Sequence, residues 1–157
     1  METAIRYADS RDIPELVRLR LSYFAEEFGV LPQETVQAVS EALPKYFAEH
    51  LGKDCIAVAA AQPDGTLVSC ALLVIIEKPA NPSFPNGRTG NVLGVYTEPE
   101  MRRCGLATGI MKQVQKAAKS LQLDTVTLSA SHMGQPIYER IGFRVKESHF
   151  TEMEWNP

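Results

Sequence analysis

The sequence predicts an α/β fold, helices packed on a mixed and mostly antiparallel sheet, and three observations predict it. Apolar stretches with helical spacing interleave with short β-branched runs along the whole chain. Two long apolar runs, "DCIAVAAA" and "TLVSCALLVIIEK", flank the Asp-Gly turn of "QPDG", as a β-hairpin does. Further on, the strand-like "NVLGVYT" runs through "EPEMRRCGLATG" into a long helical pattern.

In chain order, "TAIRYA" alternates and reads as a strand. Asp9, Ser10 or Asp12 caps the helix that follows, Pro14 suits its first turn, and Gly29 ends it. Ile13, Leu16, Val17, Leu21, Phe24 and Phe28 share its apolar face. A second helical pattern begins near Pro32 and carries Val36, Val39, Leu43, Phe47 and Leu51, with Pro44 inside it predicting a kink or a split. After the hairpin, "PANPSFPNGRTG" is a loop, and Gly94 marks a bulge in "NVLGVYT". Leu106, Ile110, Met111, Val114, Ala117, Ala118 and Leu121 form the next stripe, with Lys112, Lys116 and Lys119 on its solvated side. Then come a strand at "TVTLSAS", a short helix at "GQPIYERI", a strand at "GFRVKES" and a closing edge strand at "FTEMEW". With no repeat or linker, residues 1–157 read as a single domain.

Composition narrows the function. The 157 residues carry 16 Lys and Arg against 19 Asp and Glu, a net charge of −3 that argues against nucleic acid as a partner. No apolar run reaches the roughly 18 residues of a membrane span, and "METAIRYADS" lacks the basic and apolar regions of a signal peptide. Cys55, Cys70 and Cys104 form no C-x-x-C pair and read as reduced thiols of a cytoplasmic protein. His50, His132 and His149 have no metal-ligand spacing, so no metal is expected.

The strand-to-helix turn carries the first functional signal. A helix start exposes unpaired N–H groups and a partial positive charge, which attract anions. Gly105 and Ala107 let a phosphate approach that backbone, and Arg102 and Arg103 add guanidinium groups. Neither the G-x-x-x-x-G-K-[ST] loop nor G-x-G-x-x-G is present.

Arg102-x-x-Gly105-x-Ala107 resembles the Q/R-x-x-G-x-G/A motif of the GNAT N-acetyltransferase family, and it follows a long strand as that family's motif does. "LSASHMGQPIYERIGF" resembles the family's later motif through Leu128, Gly134, Tyr138, Gly142 and Phe143. The resemblance implies a GNAT-like sheet of about six or seven strands splayed at a bulge and flanked by about four helices. It also implies acetyl-CoA as cosubstrate. Its pantetheine arm would lie along Val95, Tyr96 and Thr97, its diphosphate on Arg102, Arg103, Cys104, Gly105, Leu106, Ala107 and Thr108, with Ser131 where many members have an asparagine.

In that family an amine attacks the thioester directly. A backbone N–H near Tyr96 or Thr97 would support the developing oxyanion, and Tyr138 would protonate the leaving thiolate. The glutamate base of some members is replaced by Asn91, which leaves Glu77, Glu98, His132 or a water chain, with His132 preferred. Direct transfer needs no acyl-enzyme, and Cys104 has no His or Asn partner, so it is not read as a nucleophile.

The acceptor, a small-molecule or peptide amine, would be lined by Tyr23, Glu26, Glu27, Tyr46 and Phe84. The competing function is a catalytically weak acyl-CoA-binding sensor; Tyr138 favours the enzyme. Strand edges near the C-terminus allow a homodimer.

Overall fold

The computed structural model describes residues 2–157. Five strands lie in sequence order in one sheet: β1 (Ala4–Tyr7), β2 (Cys55–Ala61), β3 (Leu67–Glu77), β4 (Arg88–Thr97) and β5 (Thr125–Leu128). β1 to β4 pair antiparallel, and β5 runs parallel to β4. A parallel pair needs a crossover, which α3 (Leu106–Ser120) supplies.

α1 (Ile13–Phe28) and α2 (Gln33–His50) cover one face of the sheet, while α3 and α4 (Gln135–Arg140) cover the other. Alternation along β2 and β3 divides the core between them. Leu16, Leu19 and Phe47 meet Cys55, Ala57, Leu67, Cys70 and Leu72 on one face. Ile110, Met111 and Val114 meet Val58, Ala60, Ala71, Leu73 and Val92 on the other.

The start of α1 follows from its acidic residues. Asp9 accepts the Arg11 N–H, Asp12 accepts the Asp9 N–H, and this capping box winds a 3₁₀ turn, Ser10–Asp12, that feeds directly into α1. The Arg6 guanidinium reaches both oxygens of the buried Asp12, at 2.7 and 2.9 Å. α2 differs from expectation: it passes through Pro44 as one helix. Pro44 lies on its exposed side, where water can take the carbonyl that the missing N–H leaves free.

The sheet also corrects the expected strand count. "GFRVKES" and "FTEMEW" form no strand, and every residue from Arg144 onward is exposed, with Phe150 at 85% and Trp155 at 84%. Alternation gives a segment two unlike faces, but a strand also needs a backbone partner, and nothing among the described residues pairs with the outer edge of β5.

One irregularity positions the site. Leu72 pairs with Leu93 but Cys70 pairs with Tyr96, so Gly94 and Val95 together face Ala71. Gly94 takes φ +59, a left-handed conformation that glycine adopts without strain. This bulge turns β4 away from β5, and their pairing covers only Thr89–Val92 with Thr125–Leu128. From Leu93 to Thr97 the β5 side of β4 has no partner strand among the described residues.

Leu19 is fully buried between α1 and the sheet. Leu19→Ala is expected to lower unfolding stability by about 2–5 kcal/mol in a urea titration, with the denaturant slope unchanged.

Candidate active site

After β4 the chain makes one 3₁₀ turn, Pro99–Met101, and enters α3 through Gly105, whose φ of +78 is left-handed. Arg103 is also left-handed, at φ 63. The bend leaves the backbone N–H groups of Arg103, Cys104, Gly105, Leu106, Ala107 and Thr108 without an acceptor among the described residues; the first N–H bonded in the helix is that of Gly109, to Gly105. A side chain at Gly105 would meet no atom within 4 Å, so the mouth of the turn is open. Unpaired amides, a helix N-terminus and an open approach make a fitting cradle for phosphate oxygens.

The Arg102 side chain does not enter that cradle. Its Nη2 pairs with Glu26 at 2.6 Å, its Nε donates to the Thr97 carbonyl at 2.9 Å, and its guanidinium lies 5.6 Å from the centre of the Tyr96 ring. Arg102 and Glu26, separate site candidates in the sequence, thus engage one another. Arg103 and Cys104 are exposed.

The partnerless edge of β4 carries Val95, Tyr96 and Thr97. Val95 packs towards α3, and Tyr96 towards α1, where Tyr23 meets its ring edge-on at 6.3 Å. The Ser69 hydroxyl donates to the Tyr96 carbonyl, and the Ser69 and Thr97 hydroxyls lie 2.7 Å apart.

Tyr138 stands on α4, across the gap from that edge. Its ring meets Phe143 edge-on at 6.1 Å, and a Cβ at Gly134 would come within 3.0 Å of it, so the glycine makes room for the phenol. Ser131 accepts the Gly134 N–H at 3.0 Å and starts the turn into α4. Burial pushes the Tyr138 phenol above its ordinary range, and the nearby Tyr23 phenol adds to the shift. The phenol of Tyr138 therefore keeps its proton at neutral pH.

The remaining candidates are more scattered. His132 and Glu27 are exposed and have no partner among the described residues. Glu77 is exposed at the end of β3, and Glu98 is held by Arg18 at 2.5 Å. Phe84 lies in the loop before β4, beneath Lys78, at the far end of that strand from the turn. An apolar cavity of about 290 Å³, among Tyr7, Ile56, Ala57, Ala117 and Leu121, sits at the opposite end of α3 from the cradle. No group of His, Cys, Asp and Glu among the described residues is placed to hold a metal, and no helix among them is long and apolar enough to cross a membrane.

The sequence reading passed over Arg20. Its guanidinium lies 4.8 Å from the centre of the Phe24 ring and 2.5 Å from where a Cβ of Gly94 would stand. The available signal was its position four residues after Leu16 and three before Tyr23, inside the inward stripe of α1.

Residues 34–155 match the family described as acetyltransferase (GNAT) domain. A glucosamine 6-phosphate N-acetyltransferase of Trypanosoma brucei brucei is 31% identical over 88 residues, which are 55% of this chain and 56% of that protein. The match thus spans little more than half the length of that curated relative. A predicted acetyltransferase from Clostridium acetobutylicum, solved with acetyl-CoA, superposes with a TM-score of 0.83 at 27% identity, over 98% of this chain and 96% of that one. A GCN5-related N-acetyltransferase from Ralstonia eutropha JMP134 gives a TM-score of 0.78 at 21% identity, over 97% of this chain and 99% of that one, a likeness of fold.

Tyr46 borders the same region, and burial, with Cys55 beside it, pushes its phenol up to about 12 from an ordinary 10.0. Between those values the unfolded chain has lost a proton that the folded chain keeps, so stability falls as pH rises through the window. Urea midpoints measured from pH 9 to 12 are expected to show this fall, and Tyr46→Phe to make it shallower.

Proposed function

This chain belongs to the GNAT acetyltransferase family and is an acetyltransferase, and from that premise we propose that it uses acetyl-CoA to acetylate an amine of a small molecule or peptide directly. One observation carries the reading: the amides of Arg103–Thr108 have no partner among the described residues and lie at the end of a β4 edge that is equally without one, with Tyr138 across the gap. A cosubstrate with a diphosphate and an amide-bearing arm would satisfy both sets of backbone groups at once.

In this reading the turn from Arg102 to Thr108 holds the diphosphate through its backbone, because the Arg102 guanidinium is already engaged by Glu26. Val95, Tyr96 and Thr97 offer the strand edge to the pantetheine arm, and a backbone N–H near Tyr96 or Thr97 supports the oxyanion. Ser131, whose oxygen already accepts the Gly134 N–H, has a hydroxyl proton to donate to that arm. Bound acetyl-CoA supplies the activated acyl group. Tyr138, neutral and half-buried, delivers a proton to the departing sulfur. His132 is the base we favour, since Glu98 is committed to Arg18. Tyr23, Glu26, Glu27 and Phe84 are proposed for the acceptor side; Tyr23, in contact with Tyr96, has the strongest geometric support.

We read residues 1–157 as one acetyltransferase domain, with Cys55, Cys70 and Cys104 all unpaired, as suits the cytoplasm. The open edge of β5 and the exposed Phe150, Met153 and Trp155 support a homodimer. Sedimentation is expected to give twice the chain mass, and deletion of residues 149–157 to give the monomer.

Gly105→Glu places an acidic side chain in the open mouth of the turn, at a left-handed φ. It is expected to abolish acetyl-CoA binding by calorimetry, and an unchanged affinity overturns the cradle. Tyr138→Phe is expected to lower kcat, followed by thiol release, far more than acetyl-CoA affinity; a kcat within about twofold of wild type rejects the acid role.

A further inference from the structure

The arginines other than Arg20 with half-buried side chains each hold at least one partner inside the protein, although the Nε of Arg88 is buried without one among the described residues. Arg6 pairs with Asp12, Arg18 with Glu15 and Glu98, and Arg102 with Glu26, while Arg88 donates to the Leu121 carbonyl. Arg20 is half-buried and has neither a carboxylate nor a carbonyl partner among the described residues. The titratable groups that face it from α1, α2, β2 and β3 are Tyr23, Tyr46, Cys55 and Cys70, phenols and thiols with no carboxylate among them. A surface arginine sends its head into water; this one turns inward and lies against Gly94, where any side chain would displace it. The Phe24 face offsets part of the cost. A guanidinium keeps its proton on partial burial, and the unpaired N–H groups of Arg20 still reach solvent, from where an anion can approach them.

The place of that charge gives it a use. Arg20 is one helical turn before Tyr23 on α1, and Gly94 is the bulge residue just before the open edge of β4. Both lie on the α1–α2 side of the sheet, where the acceptor is proposed to sit. We propose that Arg20 binds a carboxylate or phosphate on the acceptor, so that the amine acetylated belongs to an anionic small molecule. The proposal rests on the acetyl-transfer reading for its choice of ligand. The fork geometry of a guanidinium suits either oxyanion, and two oxygens of one group engage it side by side. Tyr23 and Tyr46 add hydroxyl groups at the same place.

The test measures acceptor binding calorimetrically to the protein saturated with coenzyme A, using matched pairs: glucosamine 6-phosphate against glucosamine, and L-serine against L-serinamide. Wild type is expected to bind the anionic member of one pair about 10- to 100-fold more tightly than its neutral partner, and the pair that responds separates phosphate from carboxylate. Arg20→Gln is expected to bring that pair within about twofold, whereas Arg20→Lys keeps a preference for the anion. Unchanged coenzyme A affinity in both variants shows that they fold. Equal binding within both pairs by wild type, no binding of any probe, or an undiminished preference in Arg20→Gln overturns the proposal. Thiol release measured with the same probes judges the acetyl-transfer reading separately. Anion preference without turnover rejects transfer and keeps the Arg20 site, and turnover without anion preference does the reverse.

Discussion

At Gly94 two residues of β4 face one residue of β3, and that extra residue turns the strand away from β5. Parallel pairing with β5 then ends at Val92, and the backbone beyond it is left open. Everything at the site follows from this divergence. Tyr138 packs on the α3 side of the core and lies near Tyr23 of α1, and the turn into α3 stands at the end of β4 because β4 continues past the last pair. The same glycine clears the space for the Arg20 guanidinium, so one residue shapes the gap and admits the charge beside it.

An open strand edge must be held by something other than a neighbouring strand, and α1 does so through ion pairs that span the sequence. Arg18 joins Glu15 on its own helix to Glu98 after β4 and to the Leu67 carbonyl at the start of β3. Glu26 reaches Arg102, which in turn donates to the Thr97 carbonyl. Partly exposed pairs of this kind are each worth about 0–1 kcal/mol, so they orient more than they stabilise. Stability lies one layer deeper, where Leu16, Leu19 and Phe47 meet the strands. The division is useful at an active site, since the turn is fixed in place without being buried.

Features that rest on local backbone chemistry were legible in the sequence. The Asp-Gly hairpin, the capped start of α1, the bulge at Gly94 and the open turn at Gly105 each need particular residues at particular positions, and those residues are visible without coordinates. Features that depend on a distant partner were not. "FTEMEW" alternates like a strand, yet nothing in its own residues says which edge would take it. Arg102 looked like a phosphate ligand beside its glycine, and only the folded chain shows Glu26, far earlier in the sequence, claiming it. Arg20 escaped notice because a lone arginine in an apolar stripe is ordinary when its head reaches solvent; the close approach of Gly94 makes it unusual.

The two positive features of the site differ in kind, and the difference bears on what each can select. The turn offers amides and a helix start, whose partial charges need no side chain. Arg103 and Cys104 are exposed and free to vary there, provided the left-handed backbone at Arg103 and Gly105 is kept. An anion held at that turn would be selected by conformation and clearance, which accounts for small residues there in place of a charged cluster. Arg20 carries a full charge in a setting of phenols and thiols, with no carboxylate paired to it among the described residues. In a chain of net charge −3, whose long-range field repels anions, a half-buried cation with no carboxylate partner among the described residues is a local reversal of sign. Such a reversal discriminates most strongly between ligands that differ by one charge, because a neutral ligand leaves the guanidinium as poorly solvated as before.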